Sequence, residues 1–245
     1  MPRRRSSPLA WRTWRTRLRA LCVAAAPAVL ALGPLALGPL AAQAAADPLQ
    51  PQAPRMDFTP PAPGSYVLHR IQPAANANLL DSRSRAVRLV DATHGKITLL
   101  SFFYTYCADA LGCPFAYKTL VGLREALLAE PALARRVRFV NISFDPLHDT
   151  PAALALYGGD LARDARFEWR FLTARSVHSL LPLLDDFGQD VAVITDEHGQ
   201  PTRTRNHALK LFLIDARADV REIYTLDFVQ PAVMLNDIRT LALER

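Results

Sequence analysis

The stretch Lys96–Pro114, KITLLSFFYTYCADALGCP, constrains the fold more than any other part of the chain. Its first half, Ile97 to Tyr106, is a continuous apolar, β-branched and aromatic run, the pattern of a strand buried on both faces. Cys107 closes that run, and Cys113-Pro114 opens a segment to Glu130 whose apolar residues recur at helical spacing. Proline is favoured in a first helical turn, where its missing N–H has no partner to lose. The spacing therefore predicts a strand-to-helix corner with one thiol at each side. Cys113 falls at or near a helix N-cap, where unpaired N–H groups and the helix dipole favour a thiolate. Cys107 falls at the carboxyl end of a strand, where open α/β sheets place their sites.

The remainder reads as alternating strands and helices. Short strands are predicted over 66–71 and 86–90, with 73–85 as a loop and 91–95 as a turn. A second buried strand is predicted over Val137–Phe144, VRFVNISF. A helix follows with Asp149 or Thr150 as its N-cap and Pro151 in its first turn. Further on come a strand over 167–172, a helix over 176–187 and a polar loop over 190–205. A hairpin over 208–215 and 220–226 and a helix over 230–244 complete the pattern. Strands alternating with helices, ending in an antiparallel hairpin and a helix, predict a three-layer α/β domain with a mixed sheet. With a dithiol at the end of its first long strand, a thioredoxin-like fold is the economical choice.

The beginning of the chain is of another kind. Residues 1–19 carry seven arginines and no acid, and an apolar Ala/Leu/Pro stretch and small residues follow. Residues 1–44 thus read as a secretory signal peptide cleaved about Ala42-Gln43-Ala44, with an uncleaved membrane anchor as the alternative. Residues 45–64, rich in Pro, Ala and Gln, read as a disordered linker, and 65–245 as the folded domain. The full chain has 29 Lys and Arg against 23 Asp and Glu. Without the leader arginines that excess vanishes, so the basic balance belongs to export and points to no nucleic acid. Membrane association is expected through the leader only.

Three readings of the cysteine pair stay open at this level: a metal site, a thiol–disulfide oxidoreductase and a structural disulfide. Export permits the last, but a domain of this size needs no staple and a short loop gains little from one.

Three further pieces narrow the choice. They are Phe144-Asp145-Pro146 with Asp149-Thr150-Pro151, His207 ahead of Leu213-Ile214-Asp215, and Phe103-Tyr104-Thr105 before the first cysteine. Together with Cys113-Pro114, and in this order, they resemble the SCO/SenC family of thioredoxin-like copper proteins that assemble cytochrome c oxidase, over most of 66–245. The resemblance implies one copper, Cu(I) or Cu(II), held by Cys107, Cys113 and His207, with Asp145 behind them orienting a ligand or a partner's thiol. It implies a periplasmic or otherwise exported metallochaperone. Its partner would be the copper-site subunit of a cytochrome oxidase or a related cuproprotein. Thiolates are soft donors that select Cu(I), and imidazole suits either oxidation state. The same dithiol supports an alternative activity, reduction of partner cysteines before metallation. Two departures stand out. Five residues separate the cysteines where the family usually has three, and Asn206 precedes the histidine where the family more often has aspartate. Of the other histidines, His148 lies near Asp145 in sequence and is the one placed to approach the site.

Overall fold

The computed structural model describes residues 58–244. In chain order its elements are β1 (Gln72–Pro73), β2 (Asn78–Asp81), β3 (Ala86–Arg88), α1 (Leu89–Thr93), β4 (Ile97–Phe103), α2 (Cys113–Leu128), α3 (Pro131–Ala134) and β5 (Val137–Ser143). Then follow α4 (Pro151–Gly158), β6 (Glu168–Thr173), α5 (Val177–Asp186), β7 (Val191–Thr195), β8 (Pro201–His207), β9 (Lys210–Ile214), β10 (Asp219–Thr225) and α6 (Pro231–Leu243). One mixed sheet runs in the order β1-β10-β9-β4-β5-β6-β2-β3, and β7 and β8 form a separate two-stranded sheet. The thioredoxin-like arrangement of a central mixed sheet, a terminal hairpin (β9–β10) and a closing helix (α6) is present as expected.

Every residue of β4 and β5 is buried, and the two pair in parallel from Ile97↔Val137 to Phe103↔Ser143. Successive side chains of a strand point to opposite faces, and β4 uses both. Phe103 stacks on Tyr157 of α4 at 5.0 Å between ring centroids, while Phe102 packs edge-on against Phe187, just after α5, at 5.5 Å. One strand thus ties the sheet to helices on its two faces; its own Leu100, and Phe139 and Phe212 on the strands beside it, are fully buried. No helix among the described residues is long and apolar enough to cross a membrane. The leader and most of the linker read from the sequence lie outside the described residues.

Four local expectations change. The strand expected over 66–71 does not form; the strand in this region is Gln72–Pro73 just after it, whose two residues find ladder partners on β10. The loop expected over 73–85 contains β2, which pairs with β3 and with β6. Residues 91–95 are not a plain turn: α1 already runs from Leu89 to Thr93, tied down where the Val90 N–H meets Asn76 Oδ1 at 3.1 Å. Most consequential, the polar loop expected over 190–205 is the β7–β8 hairpin. Its turn is built by Asp196, whose Oδ1 accepts from the N–H groups of His198 and Gln200, with Gly199 at φ +74°. β8 reads PTRTRNH and buries no face, so hydrophobic periodicity carries no signal for it.

Candidate metal centre

The parallel strands β4 and β5 end side by side, and β9 runs antiparallel to β4, with Ser101 opposite Leu211. The start of β9 therefore lies beside the end of β4. That topology delivers three segments to one place: Tyr104–Cys107 after β4, Asp145 after β5, and His207 just before β9.

Cys107 and Cys113 are both free thiols. Cys113 is the first residue of α2, with Gly112 as N-cap and Pro114 following, so the helix begins on the cysteine itself. The five-residue spacer is folded into a turn: the Gly112 N–H donates to the Asp109 carbonyl at 2.9 Å, and the Leu111 N–H to Asp109 Oδ1 at 3.0 Å. A Cβ on Gly112 would lie 3.2 Å from Asp109 Oδ2 and 3.3 Å from the Asp109 carbonyl oxygen, so a larger residue there would crowd this tight return. The five-residue spacer thus keeps the two thiols together.

The Sγ atoms of Cys107 and Cys113 and one ring nitrogen of His207 lie within 4.8 Å of one another. Cys113 Sγ is 3.8 Å from His207 Nε2. His207 Nδ1 stands 3.3 Å from the Arg205 carbonyl. A proton on Nδ1 satisfies that carbonyl and leaves the Nε2 lone pair facing the sulfurs. Phe144 and Tyr104 wall the imidazole at 4.8 and 5.9 Å between ring centroids.

The two thiols are electrostatically unequal. The Cys113 thiol donates to Cys107, and backbone N–H groups of Cys113 and Asp109 and the Tyr104 hydroxyl add to it, pulling Cys107 down to about 5. Cys113 is pushed up, first by giving its hydrogen to Cys107 and then by burial. Cys107 is half-buried and Cys113 buried, so the charge rests on the sulfur nearer to water. Beside them a cleft of about 350 Å³ is lined by Tyr104, Thr105, both cysteines, Pro114, Tyr117 and Tyr157.

Asp145 is 2% exposed and does not reach the cysteines. Its carboxylate takes His148 Nδ1 at 2.9 Å and Arg205 at 3.2 Å. Through Arg205, two residues from His207, it fastens the hairpin that carries the imidazole. His148 thus belongs with Asp145 and lies outside the thiol–imidazole cluster. The other histidines take no part in that cluster.

The roles of three residues of this neighbourhood escape a reading of motifs, although Tyr104 and Asp149 stand within them. Tyr104 accepts from the Arg205 backbone N–H at 3.4 Å and donates to Cys107, linking hairpin to thiol. Arg205 looks like part of a solvated loop until the hairpin folds. Asp149 accepts from Ser143 Oγ at 2.6 Å and the Thr105 N–H at 3.0 Å, and also from the Thr105 hydroxyl, pinning the segment that leads to Cys107. Thr150, not Asp149, caps α4, accepting from the Ala153 N–H at 3.3 Å. The signal that could have found Asp149 is its place one residue ahead of the Thr-Pro helix start, where only one of the two is needed as a cap.

Residues 76–243 match the family model described as SCO1/SenC. A search of curated proteins finds no match. Among solved structures, ScoI of Bradyrhizobium japonicum, determined with copper bound, is 22% identical with a TM-score of 0.54, covering 68% of this chain and 97% of that one. A SCO1/SenC family lipoprotein of Bacillus anthracis is 22% identical with a TM-score of 0.56, covering 70% and 95%. BsSco, described as a member of the Sco family of cytochrome c oxidase assembly proteins and as having a disulfide switch, is 19% identical with a TM-score of 0.54, covering 72% and 97%. The family model spans well over half of the chain and takes in both cysteines and His207, so the chain belongs to the SCO1/SenC family.

Proposed function

We propose that this protein is an exported copper metallochaperone that carries one copper ion as cargo on Cys107, Cys113 and His207 and delivers it to the copper-site subunit of a cytochrome oxidase. The observation that carries this reading is the convergence of two sulfurs and an imidazole nitrogen within 4.8 Å. Metal–thiolate bonds of about 2.3 Å and metal–imidazole bonds of about 2.0–2.1 Å let donors 3.8 Å apart share one ion. Two thiolates and one imidazole suit copper, with thiolates favouring Cu(I). The copper-bound state of ScoI and the assembly role given to BsSco support the cargo and the client. Asp145 and Arg205 act on His207 by holding its hairpin. Residues 1–44 serve export, as a cleaved leader or a retained anchor, and 45–64 link them to the domain.

The test is anaerobic titration of the reduced protein with Cu(I), followed by desalting and metal analysis. One copper retained per chain, and lost or strongly weakened in His207→Ala, is the expected result. A wild type that retains none removes the proposal.

The unequal thiols favour a second reading, reduction of a partner's disulfide. A half-exposed thiolate suits attack, and a buried neighbour whose thiol is held protonated suits resolution. That reading predicts disulfide exchange that survives His207→Ala and is abolished by Cys107→Ser.

A further inference from the structure

At the other pole of the sheet lies a larger cleft, of about 900 Å³. Its walls are the β2–β3 turn, Lys96 ahead of β4, the α3–β5 junction and the segment leading into β6. These are the amino ends of the parallel strands, whereas the thiols follow their carboxyl ends. Seven residues of strand at about 3.3 Å each separate the two places by roughly 20 Å. Nothing at the metal centre draws on this cleft.

Its lining holds seven Arg and Lys side chains against three carboxylates. Beyond the leader, however, the chain is balanced, with 22 basic and 23 acidic residues. Positive charge is therefore gathered here from an otherwise slightly acidic body.

The three carboxylates are already committed. Asp81 holds Arg85 at 2.7 Å. Asp164 is shared between exposed Arg166, at 2.7 Å, and buried Arg124. Glu168 is shared among Lys96 at 2.9 Å, Arg170 at 2.5 Å and buried Arg138 at 3.6 Å. The Arg166 hydrogen bond holds the Asp164 carboxyl well below the usual range. Burial pushes Glu168 up, but the Lys96 hydrogen bond and the arginine charges outweigh it and leave it low. Burial, and then the like charge of Arg170, push buried Arg138 down although Glu168 opposes them. The region has more cations than its own acids can neutralise.

Two of those cations have no carboxylate partner among the described residues: Arg83 on the β2–β3 turn and Arg135 beside α3, both exposed. Guanidinium forks on two walls match phosphate oxygens in pairs. The aromatic residues of the lining, Phe167, Trp169 and Phe171, are only 2%, 3% and 3% exposed, so they present no ring face for a base to stack on. Recognition here would rest on charge alone.

We propose that this cleft binds a compact oligophosphate anion, gripped by Arg83 and Arg135 and held in the field of the surrounding arginines. The probe is inorganic tripolyphosphate, titrated calorimetrically into the full chain, with orthophosphate and phosphatidylglycerol vesicles as separate arms. Saturable binding of one tripolyphosphate per chain, tighter than orthophosphate, is expected. The double variant Arg83→Ala/Arg135→Ala should weaken it at least about tenfold, as loss of charged hydrogen bonds does. Both positions are exposed, so the fold should persist. Arg203→Ala, at the metal pole, should leave binding unchanged. Absent saturation, binding unaffected by the double variant, or binding to vesicles but not to tripolyphosphate each overturns the proposal, the last by making this face a membrane contact.

Discussion

β4 and β8 both lead to the thiol–imidazole cluster, and they are built in opposite ways. β4 is buried along its whole length and lies between β5 and β9. β8 pairs only with β7, and no residue in it is buried. Yet β4 leads to Cys107, and β8 ends on His207. Two donors of the cluster therefore stand on the rigid core, with Cys113 on the first turn of a helix packed against it, and the third rides on an exposed hairpin. A few side-chain contacts hold that hairpin in place. Arg205 pairs with Asp145, the Tyr104 hydroxyl meets the Arg205 N–H, and Arg203 lies 4.2 Å above the Tyr106 ring. Folding stability and donor assembly are thus separable in this molecule: the first resides in the sheet, the second in the latch between hairpin and core.

The largest effect expected from this contrast is in the sheet. Leu100→Ala in β4 empties a fully buried position and should cost about 2–5 kcal/mol of stability, measured by urea denaturation. A loss below about 1 kcal/mol would show that β4 is less rigid than its burial implies. Next comes the latch. Arg205→Ala strips buried Asp145 of the one arginine that pairs with it among the described residues and should cost about 1–3 kcal/mol, while Cu(I) retention falls and far-ultraviolet circular dichroism stays unchanged. A double-mutant cycle with Asp145→Ala isolates the pair; a coupling indistinguishable from zero would remove the latch.

A subtler effect concerns acid. Glu168, at the start of β6, has its carboxyl below the ordinary range: burial raises it, and the Lys96 hydrogen bond and the Arg138 and Arg170 charges more than compensate. A carboxyl lower in the folded than in the unfolded chain stabilises the fold above its unfolded value, and that contribution is lost as pH falls through the folded value. The wild type should therefore lose stability at acid pH, and Glu168→Gln should be less stable at neutral pH with a shallower decline on the acid side. Equal acid slopes would place the sensitivity elsewhere. The smallest effect belongs to the hairpin surface. Val193→Ser, at a side chain 50% exposed, should change stability by no more than about 0.5 kcal/mol. A larger change would mean that the hairpin is part of the folding core after all.

Legibility followed the same division. The β4 and β5 runs, the cysteine corner and the Thr150 start of α4 were readable because burial on both faces and helix starts each leave a local signature. Cys107, Cys113 and His207 could be named as a set only through the family resemblance that their motifs carry. The hairpin was not. PTRTRNH offers no apolar alternation, and a strand whose both faces meet water leaves none to find. The clue lay in its partner, the β-branched VAVIT run, and in the Asp196–Gly199 turn. Arg205 and Tyr104 were unreadable as positioning groups for a related reason. Their partners lie 60 and 101 residues away in sequence, respectively, and nothing local distinguishes a latched arginine from a solvated one.

The sequence by itself determined the α/β alternation, the buried strands and the residue types that could hold a soft metal, because those depend on neighbours a few positions apart. The tertiary structure alone decided that three donors from distant segments meet within 4.8 Å, that half-buried Cys107 is the thiol pulled down while buried Cys113 is pushed up, and that arginines from three separate segments and Lys96 from a fourth gather into one cleft. The reason is physical. Periodicity and capping are short-range and written along the chain. Ion pairing, proton sharing and donor convergence depend on distances that exist only once the parallel strands have set which ends lie together.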